Sequence, residues 1–574
     1  MKSGNANRIY FLVAVVLVYV AILISRLFYL QIIKGEEFTR TADRQYVKPS
    51  ADIFSRGSIY FQEKDENLIS AATIKTDYIL AVNPNIITDP EASYSLLSTL
   101  LTIPHDDFIA KAVKVNDPYE PITKIDNDEI IRQIRELKIP GVNLYKENVR
   151  FYPAGKLSAH TLGIVAQSKN DGNNFSGKYG VERSYEDILK RDGSSLYVNF
   201  FAEMFSNLKE ESSDLSAGDL VLTIEPNVEN FLYKTIGDLS AKWNADSVAG
   251  LVMDPKTGKI LAMSSLPDFD PNNFRIEKSV SVFRNPLVED VFEMGSIIKP
   301  LTLSAGIDAG VITPKTKYND KGFILLNGKR IENHDHKSMG EVDMQAVIDN
   351  SLNTGAVYVM QKLGRDKFRT YMKNFGLGEK TGIDLPNETS GLISNIDSKY
   401  EIDYATSAFG QGIALSPIGA ARALSAIANG GVLVRPYVVD RIVNKAGISK
   451  VTEPGPKKRV MKVSTSRQIT DMLVHAFDYG LVGGKFKLKQ YRVAAKTGTA
   501  QMPDGRGGYS DDTLHSFFGY FPAYNPKFFV LLYMVDPKNG ATFSSDTMSE
   551  PFTNLAKFLL NYYEVLPDRS PINL

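Results

Sequence analysis

Residues 9–25 read IYFLVAVVLVYVAILIS, seventeen positions without a charge, and RLFYLQII carries the apolar character past Arg26. A run of that length sits at the lower limit for crossing a bilayer as a helix, and the extension makes the crossing comfortable. A cleaved signal peptide would want a small-x-small site just after the run, and SRLFYLQIIKG offers none. The expectation is therefore an uncleaved anchor over 9–30, preceded by a short tail, 1–8. Eight residues can hardly form a domain, so about 540 residues lie together on the other side. No second long apolar run occurs, which makes the chain single-pass. Charge alone does not orient it, because Lys2 and Arg8 precede the span while Arg26 and Lys34 follow it closely.

The remainder of the 574 residues is enough for two to four domains, and 43% hydrophobic residues can fill large cores. Lys+Arg and Asp+Glu both number 66, so no basic balance argues for nucleic acid. Cysteine is absent, which excludes disulfides, thiol chemistry and cysteine-based zinc sites.

Residues 31–220 are mixed and charge-rich. DPEASYSLLSTLLTIPHDDFIAKAVK and DNDEIIRQIRELKIPG carry the spacing of short amphipathic helices, and DYILAVNP and LYVNFFAEMF read as strands. The polar stretch NLKEESSDLSAGD, 207–219, is the best boundary. Beyond it, SVAGLVMDP-KTG-KILAMSSL (247–266) predicts a β-hairpin. Residues 344–364 read as a helix with a small-residue break, and 416–431 as a helix ended by glycine. QYRVAAKTGTAQM, LHSFFGYFPA and KFFVLLYMVD are three late strands, and SEPFTNLAKFLLNYYEVL is a closing amphipathic helix. Strands at both ends with helices between predict an α+β domain over 221–574 whose terminal strands share one antiparallel sheet.

Within that domain FEMGSIIKP places Ser296 three residues before Lys299, with Pro300 next. Positions i and i+3 share one helix face, and proline is tolerated only in a helix's first turn. The helix therefore begins close to Ser296, at the positive end of its dipole, where a lysine pKa should fall. A partly neutral lysine can take the serine proton, the Ser-Lys form of an activated nucleophile. Ser-x-x-Lys also arises by chance, so alone it is weak. Two further stretches add to it. Ser351-Leu352-Asn353 follows the helix DMQAVIDN, and its two polar residues are expected to project together from a loop, a hydroxyl for proton relay and an amide for a peptide carbonyl, unless it is an ordinary turn. Lys496-Thr497-Gly498-Thr499 offers an ammonium and two hydroxyls for a carboxylate, and Gly498 lets a substrate backbone approach the strand edge. The bland reading is a lysine leading into a hairpin turn.

What decides is the ordered set, spaced by 55 and 145 residues: Ser-x-x-Lys, Ser-x-Asn, Lys-Thr-Gly. That trio marks penicillin-binding proteins and class A β-lactamases. The chain resembles a class B penicillin-binding protein over nearly its whole length. SRGSIY (55–60), RFYPAGKLSAHTLGIV (150–165) and GKYGVERSYEDIL (177–189) are similar to pedestal motifs of that family. AFGQGIALSPIGAARALSAIANGG (408–431) and FFGYFPAYNP (517–526) are similar to segments of its catalytic domain. Two departures are Ala495, where glycine is usual, and the lack of Asp-Arg after Ile59. The resemblance implies an elongated pedestal over 31–220 and a transpeptidase domain whose antiparallel sheet is flanked by helices. It implies an extracytoplasmic D,D-transpeptidase on the bacterial inner membrane, with no cofactor, that cross-links D-Ala-D-Ala stem peptides and is acylated by β-lactams. It makes Ser296 the nucleophile, Lys299 its base and Ser351 a proton relay. The Ser296 and Thr499 N–H groups become the oxyanion hole, and Lys496, Thr497 and Thr499 the carboxylate grip. Implied partners are a membrane-embedded glycan polymerase and other cell-wall proteins, with septal division preferred over elongation.

Rival readings were a hydrolase, a bifunctional enzyme and a β-lactam sensor. The Glu-x-x-Leu-Asn pattern of class A β-lactamases and the Glu-Asp-x-x-Phe of glycosyltransferases are both missing. A sensor is not distinguished by the motifs, although all three are intact. ENHDHK places His334 and His336 on one face of a strand, where zinc with Glu332 or Asp335 is the alternative to a plain loop; no metal is expected. DGRGGYSDD (504–512) reads as a loop beside the cleft.

Overall fold

The structure is a computed structural model that describes residues 56–115, 117–167, 175–191, 217–444, 447–506 and 508–569, together with Leu17, Tyr19, Val20 and Arg26. Apart from those four, the expected anchor over 9–30 lies outside the described residues, as do the expected strand at 196–205 and most of the boundary stretch 207–219. Among the described residues no helix is long and apolar enough to cross a membrane. The chain divides into two compact units, Met1–Phe54 with Ile74–Val149, and Ser55–Thr73 with Arg150–Leu574.

In the first unit, residues 78–82 pair antiparallel with strand Glu120–Ile125, Tyr78 standing opposite Ile125. The amphipathic segments form helices Pro90–Leu97, His105–Ala112 and Asp128–Leu137. Asp89 and Asn127 cap the first and third by accepting from first-turn N–H groups. Ile131 and Ile134, three apart and so on one face, are buried with Leu80, Val82, Leu97 and Phe108.

The second unit opens with strand Ile59–Gln62, parallel to Gly218–Leu222, which pairs antiparallel with Val439–Asn444. Beside it the fully buried Glu182 accepts from both Arg56 and Arg150 at 2.6 Å, and Arg56 also donates to Glu186 at 2.8 Å. Burial pushes the Glu182 carboxyl up, but the two guanidiniums more than reverse this and hold it below its usual range.

The main sheet has five antiparallel strands: β1 Ser247–Met253, β2 Ile260–Leu266, β3 Ala494–Pro503, β4 Tyr509–Phe521 and β5 Phe528–Val535, in the order β3-β4-β5-β1-β2. Strands from the two ends of the domain thus share the sheet, as expected. β5 reads FFVLLYMV and is buried at every position, because both faces are covered. Val530, Leu532 and Met534 join one core with helices α1 (Pro226–Trp243) and α7 (Ser544–Tyr562). Phe529, Leu531 and Tyr533 join the other, on the face that holds α2 (Lys299–Asp308), α3 (Met344–Asp349), α4 (Asn353–Leu363), α5 (Pro417–Ala428) and α6 (Val463–His475). α2 is buried from Lys299 through Ile307, the mark of a central helix. β3, bearing Lys496–Thr499, is an edge strand.

Candidate active site

Ser296 lies on a single 3₁₀ turn, Gly295–Ile298, that runs directly into α2, with Lys299 first and Pro300 second in that helix. Proline in the first turn thus starts the helix where the sequence argument requires. Gly295 adopts φ +61°, and a Cβ there would lie 2.8 Å from the Thr499 carbonyl oxygen. Across the same contact, a Cβ on Gly498 would lie 2.4 Å from Ser516 Oγ and 2.7 Å from the Met294 carbonyl oxygen. The Ser296 turn and β3 therefore meet backbone to backbone. This supplies a different reason for Gly498 from the expected room for a substrate: its missing side chain is occupied by the protein's own turn.

Lys299 is wholly buried, and its Nζ donates to the Ser351 carbonyl and, at 3.0 Å, to Ser351 Oγ. Ser351 stands in the link between α3 and α4 with φ +54°, which turns both oxygens towards the lysine. Burial, and after it the charge of Lys496, push Lys299 well below an ordinary lysine. The sequence argument assigned that fall to the helix dipole; desolvation is the larger cause here. Lys496 is also buried and is lowered by burial to about 8, with the Asp349 carboxylate acting in the opposite direction. Asn353 does not project from a loop: it opens α4, and its amide donates to the Glu332 carbonyl at 2.7 Å.

Ser296, Ser351, Asn353, Thr497 and Thr499 line one cleft of about 810 Å³. Lys496 lines a small second cavity of about 30 Å³ with Thr497 and Asp349. Lys299 and Gly498 line neither cavity. Thr499 Oγ1 accepts from the Ser544 N–H at 3.1 Å, which ties the edge strand to the start of α7.

The ENHDHK stretch is a scaffold in this structure. Asn333 is buried and donates to both oxygens of the buried Asp320 at 3.1 Å, while Thr354 Oγ1 donates to Asp320 at 2.8 Å. This network fastens the loop to the start of α4. His336 bonds Glu332 at 3.1 Å, and His334 packs edge-on against Phe543 in the cleft. Among the described residues no group of three or more metal-binding side chains occurs.

Sequence reasoning missed three participants. Asp349 faces Lys496 and pairs with His475 at 3.0 Å, yet lies 147 residues from that lysine along the chain. Glu293 accepts from Tyr509 at 3.0 Å, joining the segment before the Ser296 turn to the start of β4. Ser516 bonds the Met294 carbonyl at 2.8 Å. Only Glu293, three residues before Ser296, had a local signal.

The chain matches known families along most of its length. The penicillin-binding protein transpeptidase domain model covers residues 248–555, and the penicillin-binding protein dimerisation domain model covers 54–211. Stage V sporulation protein D of Bacillus subtilis is 30% identical over 100% of this chain and 88% of its own length. Peptidoglycan D,D-transpeptidase FtsI of Escherichia coli is 26% identical over 96% of this chain and 91% of its own. Among solved structures, penicillin-binding protein 3 of Mycobacterium tuberculosis complexed with aztreonam superposes with a TM-score of 0.64 at 26% identity, covering 74% of this chain and 92% of that one.

Proposed function

Because the chain belongs to the class B penicillin-binding protein transpeptidases, we propose that it cross-links peptidoglycan stem peptides through an acyl-enzyme on Ser296. The observation that carries the assignment of Ser296 is the buried Lys299 at the head of α2, directly after the Ser296 turn, bonded to Ser351 and depressed by burial and by Lys496. A lysine whose charged form is disfavoured by burial and by a second ammonium is suited to accept the Ser296 proton. Ser296 Oγ then attacks the carbonyl of the penultimate D-Ala, and the Ser296 and Thr499 N–H groups receive the oxyanion. The C–N bond breaks, and the leaving D-Ala amine takes the proton from Lys299 by way of Ser351. An acceptor amine from a neighbouring stem attacks the ester, its proton returns to Ser296 through the same lysine, and the cross-link is released. Lys496, Thr497 and Thr499 grip the donor carboxylate, and Asn353 presents its remaining amide N–H. A β-lactam enters as a mimic of the donor and leaves Ser296 acylated.

The anchor over 9–30, with 31–220 as pedestal and the catalytic domain outside the inner membrane, is supported by the apolar run and by the dimerisation-domain match. We place the activity in septal synthesis alongside a glycan polymerase, the role that the resemblance of the motifs implies. The relative named for sporulation supports a second reading, cross-linking during sporulation. The test is full-length protein with a lipid-linked pentapeptide and a partner polymerase. Cross-linked muropeptides and a slow-decaying penicilloyl adduct are expected. An adduct without cross-links, even with the polymerase present, would mean a sensor, and rapid release of penicilloic acid would mean a hydrolase.

A further inference from the structure

Ser516 is fully buried in β4, directly opposite Gly498 of β3. Its Oγ lies 2.8 Å from the Met294 carbonyl oxygen and 3.3 Å from the Gly498 carbonyl oxygen. One hydroxyl proton thus bridges the nucleophile turn and the edge strand. The bridge exists because residue 498 is glycine: any Cβ there would stand where the Ser516 hydroxyl passes, 2.4 Å from it.

The peptide unit is planar and trans, so the Gly498 carbonyl and the Thr499 N–H belong to one plane and point opposite ways. Holding the carbonyl from behind fixes the direction of the N–H in front. On the other segment, the plane between Met294 and Gly295 is held at both ends. Ser516 donates to its carbonyl, and the Gly295 N–H donates to the Gly410 carbonyl at 3.2 Å. The Ser296 N–H is the next one along. Ser516 is itself held from the far side, where Ser544 Oγ donates to its carbonyl at 2.7 Å.

We propose that the Ser516 hydroxyl is a positioning residue that sets the separation and aim of the two N–H groups, of Ser296 and Thr499, that receive the oxyanion. This rests on the transpeptidase reading above. Its role is one of alignment: Ser516 touches neither substrate nor nucleophile, and proton transfer stays with Lys299. Loss of the hydroxyl therefore weakens binding of the tetrahedral species while leaving ground-state binding and the Lys299 titration in place.

The experiment compares full-length wild type, Ser516→Ala and Ser516→Thr. A fluorescent penicillin gives the acylation rate constant and the non-covalent dissociation constant separately, across pH. An acylaminomethyl boronic acid, which forms a tetrahedral adduct on the nucleophile, reports on the oxyanion site. For Ser516→Ala the acylation rate constant is expected to fall about tenfold, the scale of one lost hydrogen bond, with boronate affinity falling in parallel. The non-covalent constant and the acid limb of the pH profile should stay put. Ser516→Thr keeps the donor and should recover most of both losses, even where its extra methyl lowers Tm. If Ser516→Ala does not fold, Ser516→Cys, with its weak donor, takes its place under the same criteria. An unchanged rate constant and boronate affinity would overturn the proposal, and so would a threonine variant as impaired as alanine, which would mean packing alone. Wild type that is not labelled, or is labelled away from Ser296, overturns the transpeptidase reading and this proposal with it.

Discussion

Gly498→Ala tests the backbone-to-backbone contact between the nucleophile turn and the edge strand. The new methyl would sit 2.4 Å from Ser516 Oγ, 2.7 Å from the Met294 carbonyl oxygen and 3.0 Å from Ile297 Cγ2. Ordinary contacts begin near 3.4 Å, so the turn must draw back from the strand by roughly 0.7 Å to clear the Met294 carbonyl, and the Ser516 hydroxyl must give way by roughly 1 Å. Overpacking of this kind costs about 1–3 kcal/mol. At about 2–4 °C per kcal/mol for a large unit, the Tm should drop by several degrees. The effect on acylation is larger, since a displacement of about 1 Å between reacting groups costs on the order of 10²-fold. Stopped-flow acylation by a fluorescent penicillin, read beside differential scanning fluorimetry, measures both. Wild-type acylation with an unchanged Tm would refute the reasoning, for it would mean that turn and strand are not in contact in solution.

Three other outcomes follow from the same geometry. Ser296→Ala should abolish penicillin labelling in a folded protein, and an adduct mapped by mass spectrometry to another serine would overturn the assignment. Lys299→Arg installs a guanidinium that does not deprotonate in proteins, so acylation should fall by about 10²–10⁴, and a near-normal rate would reduce Lys299 to a structural role. His515, buried and lowered to about 4, is neutral in the fold but titrates near 6.5 when unfolded. The unfolded state binds the extra proton between those values, so stability should decline as pH falls from about 6.5 to about 4. Denaturant melts of His515→Gln should show a shallower decline over that window, and an identical slope would remove the residue from the account.

Short-range signals carried much of this molecule. The hairpin at 247–266, the three late strands and the break between α3 and α4 were legible, because alternation, turn residues and small-residue interruptions are local. The three motifs were legible because their spacing within each is short. What escaped reading depends on contacts across the chain. That Asp349 faces Lys496, or that Ser516 faces Gly498, is decided by strand register and helix packing, which no window around either residue encodes. Asn353 misled for a related reason: its side chain and its place at the head of α4 depend on a carbonyl 21 residues away. Gly498 was read outward, towards a ligand, when its open face looks inward.

The meeting of Gly295 with Thr499, and of Gly498 with Met294, bears on how such an enzyme escapes an inhibitor. The atoms in contact are main-chain atoms; no codon change removes a carbonyl, and only a change to proline removes an amide N–H. A donor peptide and a β-lactam that engage the same amides are read by the same main-chain groups, so selection cannot separate drug from substrate there without losing both. Substitutions that discriminate between them must fall where side chains face the cleft, as at His334, Gln501, Tyr509 and Phe543. Those walls, and not the nucleophile turn, form the evolvable part of the recognition surface.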